Sequence, residues 1–172
     1  MNTITKSKLD NQDLALVEEH VRQLIQLMGF SQVLVACRAS DKEGATETES
    51  YIELNVKIDA GEEGRLLIGT QGAHLFALQH LIRSLLRRQF SAGVCVVVDV
   101  NGYRARRERN LASLADSAAR QAKSQGKTIV LRPMDASDRR IIHSHLSSWQ
   151  EVRTESLGEE PNRRVVIKPV FL

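Results

Sequence analysis

Apolar residues recur at helical spacing from Asp13 to about Met28, as Leu14, Leu16, Val17, Val21, Leu24, Ile25, Leu27 and Met28. Asp13 is placed to cap that helix and Gly29 to stand just past its end. The period then shortens. Ser31–Ala39 is compact, apolar and β-branched and predicts a strand, and the charged stretch 40–50 predicts a hairpin-like loop. Tyr51–Ile58 alternates strictly, with Ile52, Leu54, Val56 and Ile58 on one face. A short helix over Arg65–Ile68 leads into a turn bounded by Gly69 and Gly72. A longer helix follows, about Ala73 to Gln89. Leu75, Leu78, Leu81, Ile82, Leu85 and Leu86 form its apolar stripe, with His80, Arg83 and Arg87 opposite. Val94–Val100 closes this half as a buried strand.

Asn101-Gly102 is a strong turn signal, and a second module starts there. Residues 103–125 predict one long helix that buries Leu111, Leu114, Ala115, Ala118, Ala119 and Ala122 and stops at Gly126. A strand over Thr128–Leu131 comes next, then a helix capped by Asp135 and running to about Ser148. Strands near Val152–Ser156 and Arg163–Lys168 complete an α+β chain. Residues 1–12 are polar and form a flexible N-terminus.

Composition narrows the class. At 172 residues and 42% hydrophobic content, the chain fits one mid-sized domain or two small ones. An aromatic content of 4% argues against broad base-stacking platforms. The net charge of +3 is unevenly placed, −4 over residues 1–60 and +7 over 61–172. That asymmetry points to an anionic partner, nucleic acid ahead of a membrane surface, although a solvated basic face accounts for the charge equally well. Cys37 and Cys95 lie in apolar runs with no CxxC or zinc spacing, and read as small core residues in a reducing compartment. No apolar signal core opens the chain and no run approaches the ~20 residues of a membrane span. A soluble, cytoplasmic protein without membrane insertion is expected.

The chemistry gathers at Arg65-Leu66-Leu67-Ile68-Gly69-Thr70-Gln71-Gly72. A triphosphate-binding loop needs Lys and Ser/Thr after its glycine, whereas Gly72 is followed by Ala73-His74. A dinucleotide fingerprint needs three glycines between strand and helix. What remains is a GxxG bend between two helices, the loop with which KH domains clamp single-stranded nucleic acid. The element order helix–strand–strand–helix–GxxG–helix–strand agrees with that reading.

Residues 13–100 resemble a KH domain of the type II topology (αββααβ). Residues 102–172 resemble a small α/β R-three-H domain, named for an Arg and a His with three residues between them, here Arg139 and His143 in MDASDRRIIHSHL, with VRTESLGEEPNRRVVI after them. The two in this order resemble the Jag/KhpB (SpoIIIJ-associated) family of bacterial RNA-binding proteins. Many of its members carry an N-terminal Jag domain, which this chain is expected to lack. The family's loops usually hold a basic residue between the glycines; Thr70-Gln71 stand here instead, so backbone N–H groups with the Thr70 hydroxyl and Gln71 amide are expected to carry the phosphate contact, with charge from Arg65 or the second module and weaker, more salt-tolerant binding. The family's residues before the motif arginine commonly read Asn-Pro-Tyr-Glu, against Asp135-Ala136-Ser137-Asp138.

Arg139 and His143, at i and i+4, share a helix face roughly 110° from the Ile141, Ile142, His145, Leu146, Trp149 stripe. They are expected on the rim of the core, reaching solvent, either gripping phosphate with Arg132 or Arg140 or tying the helix to its sheet. His143-Ser144-His145 cannot form a metal pair, because i and i+2 point apart. No nucleophile or paired carboxylate accompanies His143, so no enzyme activity, cofactor or metal is expected. Arg104, Arg106, Arg107 and Arg109 open the long helix against its dipole. With Arg83, the first three are candidates for additional phosphate contacts. The expected site is therefore Arg65, Ile68, Gly69, Thr70, Gln71 and Gly72 with Arg132, Arg139, Arg140 and His143, acting on single-stranded RNA. The resemblance further implies post-transcriptional regulation or RNA chaperoning tied to cell elongation and division. It also implies a small KH-only partner or self-association, and a functional link to a YidC-type insertase. The alternative is an interaction adaptor that binds RNA incidentally.

Overall fold

The computed structural model describes residues 9–43, 50–87, 90 and 94–170. The chain divides into two compact units, Met1–Tyr103 and Arg104–Leu172.

In the first unit the order is α1 (Asn11–Leu27), β1 (Leu34–Glu43), β2 (Ser50–Asp59), α2 (Gly64–Ile68), α3 (Ala73–Leu86) and β3 (Val94–Val100). This is the αββααβ order of the type II KH layout. β1 pairs antiparallel with β2, and β2 pairs parallel with β3. Alternation sends Ile52, Leu54, Val56 and Ile58 inward, and the last three share a core with Val17, Val21 and Ile25 of α1 and Leu75, Leu78, Ile82 and Leu86 of α3. Each edge strand is capped by a helix side chain. Glu18 Oε1 accepts from the Cys37 amide at 2.7 Å on β1, and Gln79 Oε1 from the Val98 amide at 2.9 Å on β3.

Several expectations are corrected here. The N-cap of α1 is Asp10; Asp13 sits at N3 and completes a capping box by accepting from the Asp10 amide at 3.0 Å. β1 starts at Leu34 and runs on through the charged residues to Glu43, because its ladder with β2 continues there; the rest of the expected loop, 44–49, lies outside the described residues. Leu81 and Leu85 are exposed, since the α3 face that meets the sheet is only one residue wide per turn. β3 is buried on one face only, which leaves Cys95 exposed while Cys37 is in the core.

The second unit contains α4 (Tyr103–Gln125, whose first residue belongs to the first unit), β4 (Ile129–Val130), α5 (Ala136–Leu146), β5 (Val152–Leu157) and β6 (Arg164–Pro169). The strands form an antiparallel sheet in the order β4-β6-β5. Alanines 115, 118, 119 and 122 let α4 approach closely a core of Leu131, Met134, Ile142, Leu146, Val165 and Ile167. Asp135 caps α5 by accepting from the Asp138 amide at 2.9 Å. Among the described residues no helix is long and apolar enough to cross a membrane, and no His/Cys/Asp/Glu group is set to hold a metal.

Candidate functional site

Where α2 ends, Gly69 turns the chain at φ 70° and ψ −176°, a region essentially restricted to glycine. Gln71 follows at φ 55°, and Gly72 at φ 91° is the N-cap of α3. Space requires the glycines as much as dihedral freedom does. A Cβ on Gly69 would lie 2.5 Å from Cγ of His74, and one on Gly72 would lie 3.0 Å from Cε1 of Tyr103. The His74 ring is anchored by Nδ1, which donates to the Leu66 carbonyl at 2.7 Å.

Two of the loop's amides bond within the bend. Gly69 donates to the Arg65 carbonyl at 3.0 Å and Gly72 to the Gly69 carbonyl at 3.3 Å. Thr70 and Gln71, between them, are both exposed. α3 has no acidic residue in its first turn, so nothing there offsets the positive end of its dipole. The exposed Arg65 stands one helical turn before the bend. Ile68 departs from expectation. It is 9% exposed and belongs to the core, whereas Leu66, 60% exposed, is the accessible aliphatic side chain beside the loop. Arg83 is exposed but eleven residues past Gly72, about 16 Å along the helix axis.

Asn101 braces the segment that leads into α2. Its Oδ1 accepts from the Ala60 amide at 3.0 Å and its Nδ2 donates to the Gly61 carbonyl at 2.7 Å. A Cβ on Gly64 would lie 2.3 Å from that Nδ2.

In the second unit the expected grip is not assembled. Arg139 is not on the rim: it is 7% exposed, its Nε donates to the Met134 carbonyl at 3.3 Å, and its guanidinium pairs with Glu160. This side of α5 faces the segment that joins β5 and β6, where Glu160 lies. His143 is half-buried against β5, with Nδ1 2.6 Å from Thr154 Oγ1 and Nε2 2.8 Å from Ser156 Oγ. Burial first, and the Arg139 guanidinium second, hold its pKa below the ordinary histidine value. A neutral imidazole has one donor and one acceptor, so the two hydroxyls occupy both. Arg140 is exposed and lines an open groove between α4 and α5 with Glu108 and His145. Arg132 is exposed just beyond β4. Arg107 pairs with the buried Asp138, and Arg104 and Arg106 also have partners within the chain.

Sequence reasoning missed His74, Tyr103, Asn101, Thr154, Ser156 and Glu160. All act across the chain by eight to forty-one residues, or by packing alone, and leave no local pattern. Asp138 was visible only as a first-turn acid; its burial and its arginine were not.

A sequence profile described as the R-three-H domain matches residues 109–169. Among curated proteins, the chain is 37% identical to the RNA-binding protein KhpB of Bacillus subtilis over 135 residues, covering 77% of this chain and 64% of that one. It is 37% identical to RNA-binding protein KhpB of Clostridium symbiosum over 121 residues, 70% of this chain and 53% of the relative. For RNA-binding protein KhpB of Lactiplantibacillus plantarum the identity is 39% over 117 residues, 68% and 35% of the two chains. The chain thus spans less than two thirds of the length of each of these relatives.

Proposed function

We propose that this chain is a protein of the Jag/KhpB family that binds single-stranded RNA without chemistry, holding the sugar-phosphate backbone on the Gly69–Gly72 bend. The observation that carries this reading is the exposed Thr70-Gln71 pair on a turn flanked by two positive-φ glycines at the start of α3, with the exposed Arg65 one turn away. Amides at a helix start donate to a phosphate without any side-chain cation. Leu66 replaces Ile68 as the aliphatic surface for a neighbouring base. In the second unit, the exposed Arg132 and Arg140 supply charge, while Arg139 and His143 position the β5–β6 side of that unit. The boundaries assigned to the two domains, 13–100 and 102–172, are part of the same proposal. The regulatory role in elongation and division, the KH-only partner, the insertase link and the cytoplasmic location are proposed from family resemblance.

Replacing Thr70 and Gln71 together with Asp tests the reading. Like charge facing the phosphates weakens binding of a labelled oligouridylate at least about tenfold, with the thermal melt unchanged. Unchanged affinity in the folded double variant removes the bend from the mechanism. A second reading, docking of another protein, is favoured by the exposed Leu81 and Leu85 at successive turns of α3. An assembly that survives nuclease treatment and dissociates on Leu81→Asp supports it.

A further inference from the structure

The second unit's sheet has two unlike faces. On β5, Val152 belongs to the core and Thr154 and Ser156 bond His143 of α5, so Arg153, Glu155 and Leu157 take the opposite face. On β6, Val165 and Ile167 are in the core, which places Arg164, Val166 and Lys168 on that same outer face. Val166, on the same face, is 3% exposed, whereas Arg153 and Glu155 beside it are exposed. β4 adds Val130, 57% exposed, because Ile129 packs inward. The face without helices therefore carries three cations, one acid, and the half-exposed Val130 and Leu157.

The register sharpens the picture. Arg153 stands directly across from Lys168, and Leu157 across from Arg164. Like charges facing each other on neighbouring strands are destabilising, and a sheet shaped for stability alone would place an acid there. Glu155 is already engaged by Lys168 at 2.5 Å, and Arg164 Nε donates only to the Asn162 carbonyl of its own turn, at 3.1 Å. Arg153 is exposed and makes no ion pair among the described residues.

We propose that this outer sheet face, through Arg153, Lys168 and Arg164, is a second RNA-backbone contact surface, separate from the side of the unit where Arg139 and His143 lie. Strand pairing fixes these cations in rank on one rigid surface, and a polyanion relieves the repulsion between Arg153 and Lys168. Val130 and Leu157 give sugars or bases an aliphatic floor. This inference rests on the RNA-binding reading above and extends it to residues that carry no motif.

The test is fluorescence anisotropy of a labelled oligouridylate with the full chain over a range of salt concentrations. Arg153→Gln with Lys168→Gln is expected to weaken binding about tenfold or more. The slope of log affinity against log salt should become shallower by about 1.4, from about 0.7 per lost phosphate contact. Glu155→Gln, which removes the one acid, is expected to tighten binding, an effect a purely structural role would not produce. Arg120→Gln removes one positive charge on α4, away from this face, and is expected to leave the slope alone. Wild-type binding with an unaltered slope in the double variant overturns the surface and leaves the bend intact. A slope change as large in Arg120→Gln reduces the effect to net charge and overturns it too. No binding by the wild type overturns both readings. The Arg153→Gln, Lys168→Gln variant is expected to melt close to the wild type, since the repulsion removed offsets the loss of the exposed Lys168–Glu155 pair.

Discussion

Gly69→Ala puts the geometry of the bend under direct strain. The native φ of 70° with ψ of −176° costs an alanine about 1–3 kcal/mol. Its methyl carbon would also stand 2.5 Å from Cγ of His74, so the ring must leave and give up its bond to the Leu66 carbonyl, worth about 1 kcal/mol. The combined loss is roughly 2–4 kcal/mol, which for a unit of this size lowers the midpoint by at least about 8 °C. The single tryptophan, Trp149, lies against the second unit's core, so its fluorescence reports that unit while far-UV circular dichroism reports both. The loss is expected in the dichroism transition and not in the fluorescence one. In a His74→Ala background only the dihedral strain remains, so the double-mutant cycle should return about 1 kcal/mol of interaction. A loss below about 0.5 kcal/mol, or an equal loss in both backgrounds, refutes the account of why glycine stands there.

Asp138→Ala removes the carboxylate half of a mostly buried pair with Arg107 and a first-turn acid from α5; a loss of about 2–4 kcal/mol is expected in the Trp149 fluorescence transition, and an unchanged transition contradicts it. His143 has a folded pKa lowered by burial and by Arg139, so the unfolded chain binds the proton first on acidification. Its contribution is therefore complete above the ordinary histidine pKa and lost as pH falls through that value toward the folded one. The stability gap between wild type and His143→Gln should narrow from pH about 7.5 to about 5.5, and a constant gap refutes it. Ellman's reagent should titrate Cys95 in the native protein and leave Cys37, whose thiol is pushed up to about 12 by burial and then by Glu18, until denaturant is added. Prompt reaction of both thiols contradicts that placement.

Periodicity was enough to read both helix–sheet modules, because each core is built from side chains repeating every two or every three to four residues. It failed at ends and edges. β1 extends through charged residues because β2 supplies its ladder, and no local signal reports a distant partner. The GxxG bend was legible because glycine spacing is a local property, but the reason for each glycine, a ring brought from His74 or Tyr103, was not. The Arg–His motif was legible as a motif and misplaced as a surface. Helical geometry gives the angle between two residues, whereas whether that side meets solvent depends on Glu160 and on the hydroxyls of β5.

Glu18 and Gln79 occupy one main-chain amide on each margin of the first unit's sheet. An extended peptide seeking to prolong the sheet meets a carboxylate or a carboxamide where it needs a free donor. Strand addition, a route by which one chain grafts itself onto another or grows into a fibril, is interrupted at mid-strand on both sides.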